Sequence, residues 1–208
     1  MTDTKPSQPW KPTLRGKGIC RYGIKEKNVY LKYGDWLARN WKNKSFYETP
    51  KIAIRETGKR IIATLDLEER YFLSSLYAIY PKENVEEVSL YYLLGILNSF
   101  LSSYFVKIIA FELTKGAFTK IRTNQLARLP IRQIDNSILK ERGMHDCMVR
   151  LVETMLNLNK QLDLAKTAQD KTHLQRRIDA TDQEIDQLVY QLYDLTPEEI
   201  AIVEESTQ

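Results

Sequence analysis

The stretch MVRLVETMLNLNKQLDLAKTAQDKTHLQRRIDATDQEIDQLVYQL, residues 148–192, decides how the last third of the chain folds. Met148, Leu151, Met155, Leu158, Leu162 and Ala165 recur by alternating steps of three and four, and Leu174, Ile178, Thr181, Ile185, Leu188 and Leu192 do the same. Such steps place side chains on one stripe of an α-helix. The polar run Lys166–Asp170 breaks the phase between the two stripes. The pattern therefore predicts two helices folded back on each other as an antiparallel hairpin, each about 20 residues and about 30 Å long. Thr196-Pro197-Glu198-Glu199 predicts a short final helix, with a hydroxyl cap, Pro at the first helical position and a returning Glu. Val152, Leu164, Val189 and Tyr190 fall off the seam and are expected to form an extra apolar stripe for a partner or a second copy.

Upstream the periodicity changes from helical to alternating. Val29–Tyr33 reads as a strand. Lys51–Arg55 alternates polar with apolar, as a half-buried strand does. Glu56-Thr57-Gly58-Lys59 is a turn, Arg60–Leu65 a second strand, and Tyr71–Tyr80 a third, so these runs are expected as an antiparallel meander. Pro81 ends them, and 88–108 is expected as one buried helix. Gly116 marks a turn, Thr123 is the expected cap of a one-turn helix over Asn124–Arg128, and Pro130 stops it. The fold class is therefore α+β: a small antiparallel sheet domain with a packed helix, then an antiparallel two-helix coiled-coil hairpin. The expected division is an extended or disordered opening at 1–11, a first domain at 12–135, and the hairpin with its short terminal helix at 137–208.

Charge divides the chain differently. Between Trp10 and Arg60 there are fourteen basic residues and four acidic ones, whereas acids dominate beyond Leu151, and the whole chain carries a net +4. A basic head suits a polyanion. Apolar stretch 90–109 is interrupted by Asn98, Ser99, Ser102, Ser103 and Lys107, and the polar opening with Lys5, Pro6 and Pro9 has no signal-peptide core. The expectation is an intracellular, cytoplasmic protein. Cys20 and Cys147 fit no metal or redox spacing and read as free thiols.

Catalytic constellations do not emerge. His145 and His173 have no Cys or His at ligand spacing. Gly16-Lys17-Gly18 is half a phosphate loop without the surrounding βαβ pattern. Neither an Asn-Pro-Pro-aromatic methyltransferase motif nor a Pro-Asp…(Asp/Glu)-x-Lys nuclease set is present. The chain is thus expected not to be an enzyme, and no cofactor or metal is expected. A binding surface remains. Lys and Arg neutralise phosphates, while forked donors and amides read base edges. Lys115, Lys120 and Arg122 are candidates for phosphate or guanine, and Thr119, Asn124 and Gln125 for base edges. Arg15, Lys17, Arg21, Lys51, Arg55, Lys59 and Arg60 complete the expected DNA-binding set.

Five segments in order carry a resemblance. They are Leu14-Arg15-Gly16-Lys17-Gly18-Ile19-Cys20-Arg21-Tyr22, then Pro50–Arg55 with Thr57–Asp66, Tyr71–Tyr77, Leu93–Ser99, and Lys115–Ile121 leading to Leu126–Ile131. Together they resemble the TaqI-like C-terminal specificity domain of bacterial restriction–modification enzymes, over about residues 12–135. Gly18 stands where that pattern often has an acid, and Arg132 where it often has a second proline. The resemblance implies a target-recognition domain that selects double-stranded DNA for an adenine-specific methyltransferase or a restriction subunit. It also implies that the hairpin is similar to the spacer helices of Type I specificity subunits and the trailing helices of Type IIG enzymes. Both a stand-alone specificity protein and a piece of a larger enzyme fit. Two other readings compete with DNA selection: an assembly protein whose hairpin does the work by pairing with a partner bundle or with a second copy as a homodimer, and a nuclease with a scattered site.

Overall fold

The computed structural model describes residues 10–37, 43–81, 89–114 and 120–207. Eight short strands come first: β1 (Trp10–Leu14), β2 (Ile19–Cys20), β3 (Gly23–Ile24), β4 (Tyr30–Lys32), β5 (Lys51–Arg55), β6 (Ala63–Asp66), β7 (Tyr71–Phe72) and β8 (Leu76–Ile79). Six helices follow: α1 (Leu90–Asn98), α2 (Phe100–Thr114), α3 (Thr123–Leu126), α4 (Leu139–Leu164), α5 (Ala168–Leu192) and α6 (Pro197–Thr207). The class is α+β, as expected. The expected unstructured opening lies outside the described residues up to position 9, and Trp10 and Lys11 already belong to β1.

The strands form three small sheets, ordered β4-β1-β7, β2-β3 and β6-β5-β8. β5 is central because its two faces are both covered. Ile52 and Ile54 enter the main core, and Ala53 on the opposite face joins Leu14, Ile19 and Leu76. Two expectations are corrected here. Tyr71–Tyr80 is not one strand: β7 pairs parallel with β1, and β8 pairs antiparallel with β5. The three runs are not a meander, since β8 crosses to the free edge of β5 instead of joining β6. The interrupting residues Leu73–Ser75 are tied to the chain after β1, with the Leu73 N–H on the Leu14 carbonyl and Ser75 Oγ accepting from the Gly16 N–H.

The apolar stretch 90–109 is likewise two helices, bent by 64° at Ser99. Ser99 leaves the helical region (φ −65°, ψ 159°), and its hydroxyl accepts from the Ser102 N–H. That is an N-cap, and it restarts the chain as α2. No single helix among the described residues is long and apolar enough to cross a membrane. α4 and α5 form the expected antiparallel hairpin. Thr167 caps α5 by accepting from the Asp170 N–H at 3.0 Å, and Thr196 with Glu199 makes the expected capping box of α6. The inner face of the hairpin does not stand apart from the sheet. Met148, Val152, Met155, Ile185, Leu188, Val189 and Leu192 share one core with Ile52, Ile54 and α1.

Candidate nucleic-acid interface

The turn between β5 and β6 meets the segment that leads into α3. The Ile121 N–H donates to the Glu56 carbonyl at 2.8 Å. Lys120 Nζ lies 2.8 Å from Glu56 Oε1. Tyr77 on β8 donates its hydroxyl to the same oxygen at 2.9 Å. Burial, reinforced by that hydrogen bond, pushes the Tyr77 hydroxyl up to about 12, while the nearby Arg122 charge opposes the shift. The phenol therefore remains a donor at neutral pH. One carboxylate thus holds a lysine and a tyrosine while its own backbone docks the next segment.

α3 is stapled from below. Gln125 is 1% exposed, and its Oε1 accepts the Arg122 N–H at 2.8 Å. The residues around it point outward: Arg122, Thr123, Asn124 and Arg128 are exposed, as are Lys120 and, across the turn, Lys59. The edge therefore offers cations for phosphate together with the forked guanidinium of Arg122 and the amide of Asn124, the groups that read base edges.

The other expected DNA-binding residues are held elsewhere. Lys51 is fully buried, 2.8 Å from Asp66, with its ammonium also donating to the Tyr47 carbonyl. Asp66 in turn takes Arg70 at 2.9 Å, so the site is an internal ion cluster. Arg55 donates to the Gly16 and Ile19 carbonyls and clasps the turn between β1 and β2. Arg21 makes a forked contact with Asp182 of α5 at 2.6 and 2.7 Å and donates to the Asn98 carbonyl at 2.7 Å. Arg60 is half-buried, with its guanidinium 3.8 Å above the Phe100 ring. These are corrections: the Lys51, Arg55 and Arg21 charges are held by partners inside the fold, since burying them alone would be costly, and the Arg60 guanidinium is taken up by the Phe100 ring. Arg15 bonds Glu26, and Lys17, at 3.9 Å from the same carboxylate, stays exposed. Lys115 and Thr119 lie outside the described residues.

The expected apolar stripe on the hairpin is also corrected. Val152, Val189 and Tyr190 are buried, and Leu164 alone of the four is exposed, at 73%. α1 packs on Val152 and the segment entering α6 lies beside Tyr190, contacts that a single-helix periodicity does not register. Neither Glu56 nor Tyr77 stands out in the sequence as a site residue. Their only signal was position, at the end of one strand and within its neighbour. Among the described residues no group of three or more His, Cys, Asp or Glu could hold a metal ion.

Residues 11–131, more than half of the chain, match the TaqI-like C-terminal specificity domain. The chain belongs to this family. The specificity domain so defined contains the whole edge built by Lys59, Glu56, Tyr77 and 120–128, while α4, α5 and α6 follow it. Membership assigns the specificity domain to DNA target recognition in restriction–modification. The Type II methyltransferase M.HindII of Haemophilus influenzae is 31% identical over 143 residues, which is 66% of this chain and 27% of that protein. The chain thus spans about a quarter of the length of this relative.

Proposed function

We propose that this chain reads a specific sequence in double-stranded DNA and carries no catalysis of its own. Methylation of adenine, or cleavage, is performed by a methyltransferase or restriction subunit held on another polypeptide or another region. One observation carries the reading. Glu56 ties the segment 120–128 to the β5–β6 turn, which gathers exposed Lys59, Lys120, Arg122 and Asn124 at one edge inside the matched domain. Lys59 and Lys120 meet phosphates there; Arg122 and Asn124 face base edges. Leu164 and Leu139 are exposed apolar positions at the two ends of α4 and are open to the catalytic partner.

Selection of bound sequences from random duplexes tests this reading. Arg122→Ala or Asn124→Ala is expected to relax the selected sequence at one or two positions, each costing about 1–3 kcal/mol of discrimination. Lys59→Ala is expected to weaken all sequences alike and to lower the salt slope by about 1. Duplex affinity that stays constant between about 50 and 200 mM salt would overturn the proposal, because phosphate contacts release counterions.

A further inference from the structure

We infer that the helical hairpin supplies a second contact to the DNA backbone, in the groove between the β2–β3 turn and the α4–α5 tip. This inference rests on the DNA-recognition reading above. The groove has a volume of about 690 Å³. Its floor is apolar, with Ile24 and Leu162 beside Cys20, and its rim carries Lys25 from the sheet region and Lys171 and Arg176 from α5. The three cations are exposed and have no ion-pair partner among the described residues. Asp163 also lines the groove, but Lys27 neutralises it at 2.7 Å. The groove is therefore positive on a hairpin whose sequence is otherwise acid-rich.

Unpaired cations brought together repel one another, and a polyanion removes that cost. A ridge of sugar and phosphate has the required form: phosphates reach the basic rim while the deoxyribose rests on the apolar floor. β5 links the groove to the first edge. Glu56 docks the segment 120–128, and the adjacent Arg55 donates to the Ile19 carbonyl, next to Cys20 in the groove. The two surfaces are thus tied to one another through β5, and the inference has one duplex engage both.

The full chain is compared with Lys25→Gln/Lys171→Gln/Arg176→Gln and with a control of equal charge loss, Lys140→Gln/Arg142→Gln/Arg150→Gln. Affinity for duplexes of random sequence is measured across 50–200 mM salt. The groove variant is expected to lose about 2–3 from the salt slope, at about 0.9 per lost phosphate contact. Its low-salt affinity falls by at least about tenfold, while the selected sequence stays as in the parent. The control keeps the parent slope. Saturating duplex is expected to slow alkylation of Cys20 and not of Cys147. A parent that binds duplex with a steep salt slope, beside a groove variant with the same slope and a Cys20 rate unchanged by DNA, overturns the inference. The groove would then take another occupant, such as an acidic protein segment. A parent that does not bind duplex at all defeats the recognition reading itself.

Discussion

Asn98 bonds both main-chain groups of Ala63: its amide donates to the Ala63 carbonyl, and its Oδ1 accepts the Ala63 N–H, each at 3.0 Å. Ser103 does the same for the Ile61 N–H at 3.2 Å. The polar residues that interrupt an otherwise apolar helical stretch thus finish the edge of β6, in place of a neighbouring strand. Asn98→Leu is expected to lose about 1–3 kcal/mol in urea unfolding, since the buried Ala63 N–H is left unpaired while its carbonyl keeps the Tyr22 N–H. The buried cluster around Asp66 gives a contrasting case. Asp66→Asn leaves the buried Lys51 and Arg70 charges facing each other and is expected to cost about 3–5 kcal/mol. Lys51→Met costs less, because Arg70 still neutralises Asp66. It is also expected to leave duplex affinity and salt slope unchanged, which a titration over salt checks. Sequence counted Lys51, Arg55 and Arg21 with Lys59 and Lys120 because composition records charge and not depth. What separates them is the alternation of β5 and the turn after β2, where Tyr22 at φ 57° enters the core and the adjacent Arg21 faces α5.

The hairpin was legible as an element because its seam repeats over many turns, and a long pattern averages out single exceptions. The α1–α2 break was not, since one serine makes it and neighbouring apolar residues continue in phase on both sides. Strand order was hidden for a related reason: β8 chooses β5 over β6 through contacts far along the chain, where Ile79, Ala78, Tyr77 and Leu76 oppose Ile52 to Arg55. The close approach of α1 to α4 left a mark in sequence, although its meaning needed the fold. A Cβ at Gly95 would sit 2.3 Å from the Met148 sulfur and 3.1 Å from a Val152 methyl. Gly95→Ala is therefore expected to destabilise the chain by about 1–3 kcal/mol through overpacking, despite alanine's better helix propensity. Thermal melts of the four chains should show that Gly95→Ala costs less in a Met148→Ala background than in the parent, because the second change removes the atom in the way. Leu164→Glu is expected to leave the melt unchanged, since that side chain is in solvent.

At the scale of the whole molecule, sheet and hairpin are joined by a charged seam within a shared core. Arg21 reaches Asp182, Asp186 Oδ1 accepts the Phe100 N–H at 2.8 Å at the start of α2, and Arg60 lies over Phe100. Asp186 Oδ2 finds no hydrogen-bond donor among the described residues. Burial first, and then the Asp182 charge, push the Asp186 carboxyl up to about 6 from an ordinary 3.8, against the lowering effects of the Phe100 N–H, Arg21 and Arg60. A carboxyl with a raised folded-state value binds a proton in the folded chain before it does in the unfolded one. Its contribution therefore favours folding below about pH 4 and is lost as pH rises through about 6. The full span of two units corresponds to something on the order of 2–3 kcal/mol. Glu26, lowered chiefly by the Arg15 hydrogen bond, acts with the opposite sign at lower pH, so the difference between two chains isolates Asp186. Asp186→Asn keeps an oxygen for the Phe100 N–H and removes the titration. Stability of the parent minus that of the variant, measured by urea unfolding between pH 4.5 and 7.5, is expected to fall with rising pH and level off above about 7. A flat difference would mean that Asp186 stays charged throughout, with Arg21 and Arg60 outweighing its burial. The slope, if found, places a proton at the joint through which the sheet of the specificity domain and the hairpin hold each other.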